Sequence, residues 1–157
     1  MNTLYIIILR YEYWWKEMYS NILLAVDGSE QNKTAVRGAI ALAKALGSKV
    51  TAVYVMVGVD LKPNAFGGDV GAEERKEIAE NASKDSFDLV ISLAQAEGVE
   101  LETLALPGKP CDVLVEMSDK YDLLICGSLG RTGLTKLMGS VSKHLVQNAK
   151  CPVLVAR

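Results

Sequence analysis

The sequence predicts an α/β protein whose mostly parallel sheet is covered by helices on both faces. Apolar runs of strand length alternate with longer segments of helical periodicity, in the order β-α-β-α-β-α-β-α-β. That alternation is typical of parallel strands joined by right-handed crossovers. The second observation is a glycine-rich stretch, 127–139, that follows the fourth apolar run. Open sheets of this kind bind ligands beyond the carboxyl ends of their strands, so a ligand site is expected at this stretch.

Length and composition fit one domain with a full core. The chain has 157 residues, of which 50% are apolar and 23% charged. A formal net charge of −2 gives no basic face for nucleic acid, so we expect no nucleic-acid partner. Cys111, Cys126 and Cys151 lack the spacing of a metal site, and His144 is the single histidine. Free thiols of this kind predict a reducing, cytoplasmic compartment.

The first seventeen residues differ from the rest of the chain. Their apolar run, 4–9, is too short to span a membrane, and it lacks the basic start and cleavage site of a signal peptide. We therefore expect no membrane association. Two interpretations of residues 1–17 remain open. Either Met18 is the natural start and the preceding stretch is an artefact of gene prediction, or the stretch is an extra element that covers an apolar patch or a neighbouring subunit.

The first half of the chain predicts strand, turn, helix and strand. Residues 22–26 are a continuous apolar run of strand length, and 30–46 repeat apolar residues at helical spacing. Ser29 is the expected N-cap of this helix, and Gly47 is expected to end it in a left-handed conformation. Residues 50–57 are rich in β-branched side chains and apolar on both faces, which predicts a central parallel strand.

The second half continues the alternation. Residues 58–71 lack periodicity and contain Pro and Gly, which predicts a loop or lid before a helix at 72–96. Residues 99–106 alternate apolar and charged side chains at their start, as expected for a strand at the edge of a sheet. Pro110 is expected in the first turn of a third helix. A buried strand at 123–126, a helix at 141–149 and a last strand at 152–156 complete the prediction.

The glycine-rich stretch predicts an anion-binding turn. Glycines allow the backbone to turn with its N–H groups exposed, and Ser140 is the expected N-cap of the last helix. The unpaired N–H groups of Val141 and Ser142, together with the positive end of the helix dipole, would favour a phosphate at this point.

This spacing resembles the nucleotide-binding signature of the universal stress protein family, Gly-x2-Gly-x9-Gly-Ser/Thr, followed by a small hydroxyl residue. The matching residues are Gly127, Gly130, Gly139, Ser140 and Ser142. Eight residues, 131–138, separate the two halves instead of nine. A residue missing from helix would displace the second half by about 1.5 Å with a turn of about 100°, and one missing from extended chain by about 3.3 Å.

The resemblance covers residues 18–157. It includes the Ala-Val-Asp-Gly-Ser segment after the first strand, Gly-Lys-Pro at 108–110 and Cys-Pro-Val-Leu-Val at 151–155. It implies an open, doubly wound, five-stranded parallel sheet of the adenine nucleotide alpha hydrolase-like fold, with strand order 3-2-1-4-5. In that order the first and fourth strands are neighbours, so Asp27 and Gly127 would face each other across one crevice. The resemblance also implies a homodimer joined through the last strand, 152–156.

The resemblance further implies the residues that hold an adenine nucleotide. Ribose and adenine would lie near Ala25, Val26, Asp27, Val55 and Cys126. The phosphates would lie near Gly127, Gly130, Gly139, Ser140, Val141 and Ser142. Asp27 would anchor the base or ribose, or else it is a turn aspartate that bonds local N–H groups. Arg131 and Lys136 would neutralise phosphate charge, or else they are solvated loop cations.

These expectations favour a homodimeric, ATP-binding regulatory module of the stress response, with protein partners that the sequence does not name. Magnesium or manganese would be held by the phosphates rather than by protein ligands, and no catalytic residue is assigned. Two alternatives remain: a family member that binds no nucleotide and acts through dimerisation and protein contacts, favoured by the shortened glycine stretch, and a slow ATPase. The ATPase is disfavoured because no base or metal ligand is evident near the γ-phosphate.

Overall fold

The computed structural model describes residues 18–58, 71–129 and 138–157. Within these residues the strands are β1 (Asn21–Val26), β2 (Lys49–Met56), β3 (Leu101–Pro107), β4 (Leu123–Gly127) and β5 (Val153–Ala156). The helices are α1 (Lys33–Leu46), α2 (Ala72–Glu97), α3 (Pro110–Met117) and α4 (Ser140–Asn148). The predicted extension at 1–17 lies outside the described residues, as does nearly all of the predicted loop or lid at 58–71.

The five strands form one sheet in the order β3-β2-β1-β4-β5, and every neighbouring pair is parallel. Ile22 of β1 lies opposite Val50 of β2 on one side and Leu123 of β4 on the other. The predicted fold class and strand order are therefore confirmed. Because the order reverses between β1 and β4, the switch point that binds ligands in such sheets lies between these two strands.

Alternate side chains of the central strands fill two cores, one on each face of the sheet. Residues such as Ile22, Leu24 and Ile125 pack against α1 and α2. Leu23 and Leu124 point the other way and pack with Leu114 of α3 and Leu145 of α4. Both faces of the central strands are thus buried, which explains why their sequences are continuously apolar.

Most of the predicted ends of the elements are confirmed. The hydroxyl of Ser29 accepts a hydrogen bond from the Asn32 N–H at 3.2 Å and caps a short 3₁₀ turn, Glu30–Asn32, that leads into α1. Gly47 ends α1 with φ of 73°. Pro110 lies in the first turn of α3. Sequence signals that act within a few residues therefore predict these boundaries well.

Several boundaries differ from the prediction, most of them by one residue, and hydrogen bonds explain two of these differences. The N-cap of α4 is Gly139 and not Ser140, because the Gly139 carbonyl already accepts the first helical hydrogen bond, from the Lys143 N–H at 3.0 Å. The strand predicted from residue 99 begins at Leu101. The Val99 N–H instead donates to the Ala94 carbonyl at 2.9 Å, in the turn that ends α2.

The two edges of the sheet are β3 and β5. The prediction of an edge strand near 99–106 is confirmed by β3, in which Glu102 and Thr103 are exposed. The other edge, β5, carries Leu154, whose side chain is 41% exposed. Val146 of α4 is also exposed, at 53%. The carboxyl end of the chain therefore presents apolar side chains on an edge strand and on the last helix.

Candidate functional site

The carboxyl ends of β1 and β4 diverge at the switch point. Their paired register ends at Leu24 and Ile125, although β1 continues to Val26 and β4 to Gly127. The pairs that these strands form with their other neighbours extend further. Val26 lies opposite Tyr54 of β2, and Gly127 lies opposite Ala156 of β5. A crevice therefore opens between the ends of the two central strands, where the sequence predicts the ligand site.

The turn after β1 positions Asp27 at one wall of this crevice. The Ser29 N–H donates to Asp27 Oδ1 at 2.9 Å, so one of the two carboxylate oxygens is used within the turn. Gly28 has φ of 71°, a left-handed conformation that favours glycine. A Cβ atom at residue 28 would also lie 2.6 Å from the hydroxyl oxygen of Ser86 in α2. The turn is therefore fixed from within and by close contact with the long helix.

The carbonyl of Ser128 closes the glycine-rich stretch at the other wall. It accepts a hydrogen bond from the Gly139 N–H at 2.6 Å and another from the Ser142 hydroxyl at 3.0 Å. The Ser128 N–H donates to the Ala156 carbonyl of β5 at 2.7 Å. The two halves of the glycine motif therefore meet at Ser128, although eight rather than nine residues separate them.

This closure divides the polar groups near α4 into two sets. The Gly139 N–H and the Ser142 hydroxyl bond to the Ser128 carbonyl, and Ser142 is only 3% exposed. Ser140, by contrast, is exposed in the first turn of α4. The first N–H groups of an α-helix have no acceptor within their own helix, and the helix dipole makes this end positive. The start of α4 is thus suited to an anion, with Ser140 on its surface.

Comparison with known proteins decides the family. The family model described as universal stress protein family matches residues 18–157. The chain belongs to the universal stress protein family. A universal stress protein of Methanocaldococcus jannaschii is 34% identical over 146 residues, covering 90% of this chain and 84% of the relative.

Solved structures agree with the fold. The universal stress protein UspA from Lactobacillus plantarum superposes with a TM-score of 0.69 at 23% identity, covering 88% of this chain and 98% of the other. A universal stress protein solved in complex with cAMP superposes with a TM-score of 0.59 at 25% identity, covering 88% and 97% of the two chains. That second protein therefore holds an adenine nucleotide on the same fold.

The residues expected around adenine and ribose in this universal stress protein lie on two faces of the sheet. Ala25, Val55 and Cys126 belong to the core beneath α3 and α4, whereas the Val26 side chain belongs to the core beneath α1 and α2. Only the backbone of Val26 can therefore share a surface with the other three. Burial raises the pKa of the Cys126 thiol to about 11, so this thiol stays protonated near neutral pH.

Several expected site residues cannot be placed. Gly130, Arg131 and Lys136 lie outside the described residues. The interpretation of Asp27 as a turn aspartate has geometric support, since its carboxylate accepts a hydrogen bond from the Ser29 N–H. That bond leaves the second carboxylate oxygen as a further acceptor, so a role in ligand binding stays a prediction.

Sequence reasoning missed Asn32. This residue precedes α1 and is 5% exposed, and its side chain makes no capping hydrogen bond. Its amide nitrogen instead donates to the carbonyl of Ala25 at the end of β1, at 3.0 Å. An asparagine directly before a helix is an ordinary capping signal, so nothing in the sequence indicated that it reaches the sheet.

The part of the chain that the structure describes contains no group of three or more His, Cys, Asp or Glu side chains able to hold a metal ion. Cys111, Cys126 and Cys151 are free cysteines. The same residues include no helix with the length and apolar character needed to cross a membrane.

Proposed function

We propose that this universal stress protein binds an adenine nucleotide, with ATP as the ligand, in the crevice between β1 and β4. The observation that carries the proposal is the closure at Ser128. The Gly139 N–H reaches the Ser128 carbonyl at 2.6 Å, which brings the start of α4 to the carboxyl end of β4. A phosphate bound there would meet the N–H groups of the first turn of α4, and Asp27 stands across the crevice to receive the nucleoside end.

The hydrogen-bonding groups at this crevice fit a nucleotide better than they fit a small anion. Unpaired N–H groups at a helix start suit phosphate, while a carboxylate such as Asp27 suits a ribose hydroxyl or an adenine amine as donor. A magnesium or manganese ion would be held by the phosphates. The complex of a 25% identical universal stress protein with cAMP supports adenine as the base.

Binding without efficient turnover is the proposed activity. Hydrolysis needs a base that orients water towards the γ-phosphate and a positioned metal ion. Asp27, the carboxylate at this crevice, already uses one of its oxygens for the Ser29 N–H. The nucleotide would therefore set a conformation that partner proteins recognise, which is the regulatory role in stress response that family membership suggests.

The proposed assembly is a homodimer joined through β5. This strand lies at an edge of the sheet and exposes Leu154, and α4 exposes Val146 nearby in the sequence. An unpaired edge strand with an apolar side chain favours pairing with a second copy. The three free cysteines are in keeping with a reducing compartment, so the proposal places the dimer in the cytoplasm.

Titration calorimetry with ATP, AMP and cAMP, each with and without Mg²⁺, tests the nucleotide proposal. Freshly purified protein is also denatured, and the supernatant is run on an ion-exchange column to detect released nucleotide. We expect binding heat with ATP or a released adenine nucleotide. An empty column together with absent heat from all three ligands would reject the proposal and favour a family member that acts through dimerisation alone.

The variant Ser140→Asp sharpens this test because its effects on folding and binding have opposite signs. A carboxylate in the first turn of α4 interacts favourably with the helix dipole and stabilises the fold by about 0.3–1 kcal/mol. The same charge repels phosphate, so we expect ATP affinity to fall by at least about tenfold, equal to ~1.4 kcal/mol. Ser92→Asp, at an exposed position on α2, is the control and should leave ATP affinity unchanged.

A further inference from the structure

We infer that Asn32 is a positioning residue of the nucleotide site, and that its side-chain amide holds the ends of β1 and β4 at the separation the ligand needs. The inference rests on the proposed function. Asn32 lies outside the glycine signature and outside the Ala-Val-Asp-Gly-Ser segment, 25–29, that contains Asp27. Its assignment comes from the place of its amide between the two diverging strands.

The first observation is where the amide donates. The β1–β4 register ends at Leu24 and Ile125, and Ala25 is the next residue of β1. The Ala25 carbonyl accepts the Asn32 amide at 3.0 Å. A side chain that is 95% buried therefore bonds to the backbone of β1 just where its pairing with β4 stops.

The second observation is what lies on the other side of the amide. A Cβ atom built at Gly127 would lie 3.5 Å from the Asn32 amide nitrogen and 3.6 Å from the Asn32 Cα atom. Asn32 therefore contacts the space that Gly127 leaves empty at the end of β4. The amide lies between the end of β1 and the end of β4 and acts as a wedge.

The third observation connects the wedge to Asp27. The Ser29 N–H donates to Asp27 Oδ1, and the Ser29 hydroxyl accepts the Asn32 N–H. The Asn32 amide then returns to Ala25, two residues before Asp27. These hydrogen bonds close a ring through residues 25–32, so the carboxylate of Asp27 and the Asn32 amide are held in one rigid turn.

Removal of the amide should therefore loosen the position of Asp27 and let the strand ends approach each other. Asn32→Ala deletes the wedge. Asn32→Asp keeps its shape but replaces the donor with an oxygen that faces the Ala25 carbonyl, so it serves as a second variant if Asn32→Ala fails to fold. Gln31→Ala, at the exposed neighbouring position, is the matched control.

The experiment measures the dissociation constant of ATP with Mg²⁺ by calorimetry, at a temperature where urea denaturation shows each protein to be fully folded. We expect Asn32→Ala and Asn32→Asp to weaken binding about fivefold to tenfold, the effect of losing one buried hydrogen bond, and Gln31→Ala to bind as the wild type does. A residue that only stabilises the fold would shift the urea midpoint and leave the dissociation constant unchanged.

A double-mutant cycle with Gly127→Ala supplies the rescue. In the wild-type background the new methyl group would lie 3.5 Å from the Asn32 amide nitrogen, at ordinary van der Waals contact. In the Asn32→Ala background the methyl group occupies part of the emptied space and should restore part of the lost affinity. If the effects of Asn32→Ala and Gly127→Ala on ATP affinity are independent, the proposed role of the Asn32 amide is wrong. It is also wrong if the Asn32 variants bind ATP within twofold of wild type.

The wild-type titration distinguishes failure of the proposed function from failure of the role proposed for Asn32. Wild-type protein that binds no adenine nucleotide overturns the proposed function, and the role of Asn32 with it. Wild-type protein that binds ATP, with Asn32 variants that bind equally well, overturns the role of Asn32 and leaves the proposed function intact.

Discussion

The structure separates two serines that the sequence assigns to the same phosphate site. Ser142 is buried, and its hydroxyl donates to the Ser128 carbonyl across the glycine-rich stretch at 3.0 Å. Ser140 is exposed in the first turn of α4. We therefore predict opposite results for alanine at the two positions: Ser142→Ala lowers stability, and Ser140→Ala lowers affinity for ATP.

The magnitudes follow from the hydrogen bonds. Ser142→Ala removes one buried hydroxyl bond, but the Ser128 carbonyl keeps its bond from the Gly139 N–H, so no acceptor is left without a partner. The cost is then about 1 kcal/mol, and the melting temperature falls by about 2–4 °C. Ser140→Ala should change stability by less than about 0.5 kcal/mol. Loss of a hydrogen bond to a charged phosphate should weaken ATP binding at least about tenfold.

Urea denaturation followed by circular dichroism measures the first effect, and calorimetric titration with ATP and Mg²⁺ measures the second. The control is Ser92→Ala, because Ser92 is an exposed helix serine whose hydroxyl bonds three residues back, to the Leu89 carbonyl at 2.9 Å. It lacks the long-range bond and should be neutral in both assays. If Ser142→Ala instead abolishes ATP binding at unchanged stability, the Ser142 hydroxyl is a ligand group and the closing role assigned to it is wrong.

Two further predictions concern the turn after β1 and the buried thiol. Gly28→Ala should destabilise the fold by more than Gly47→Ala in urea denaturation. Both residues have positive φ, so both substitutions strain the backbone. The new Cβ at residue 28 would also lie 2.6 Å from the Ser86 hydroxyl oxygen, whereas a Cβ at residue 47 has no atom within 4 Å. Equal losses would show that Ser86 moves aside at little cost. Burial disfavours the Cys126 thiolate and raises the pKa of this thiol from 9.0 to about 11, so the thiol is protonated in both the folded and the unfolded protein below pH 9. As pH rises from 9 to 11 the unfolded chain loses the proton first, and the free energy of unfolding should fall by about 3 kcal/mol. The unfolding free energy of Cys126→Ala should fall less over that range, and parallel curves for the two proteins would contradict the assignment.

The sequence predicts the scaffold well because its signals are local. The strand order comes from the family resemblance, and the Ser29 cap and the Gly47 stop depend on neighbours within a few residues. Periodicity also predicts that the central strands are buried on both faces. For the ends of the helices and the burial of the strands, the residues that determine the structure are close together in the chain.

The site is harder to predict because its contacts join residues distant in the sequence. The Ser142 hydroxyl bonds to Ser128, fourteen residues away. Asn32 resembles a helix cap in the sequence, yet its amide reaches back to Ala25. The side of the sheet that the Val26 side chain faces was not part of the prediction. The two hydrogen bonds depend on how elements pack, and a pattern of residue types does not encode them. The opposite faces of Ala25 and Val26 follow from the alternation of side chains along a strand.

The hydrogen bond between the Gly139 N–H and the Ser128 carbonyl has a consequence for how this chain can change over evolution. It joins the two ends of a segment of ten residues, 129–138, independently of what lies between them. For a segment whose ends are already held together, the entropy of closure grows only with the logarithm of its length, so an eleventh residue would cost about 0.1 kcal/mol. The entropy of closure therefore places little constraint on the number of residues at this point, and natural selection can adjust the length of the segment to suit a ligand at little cost in this term.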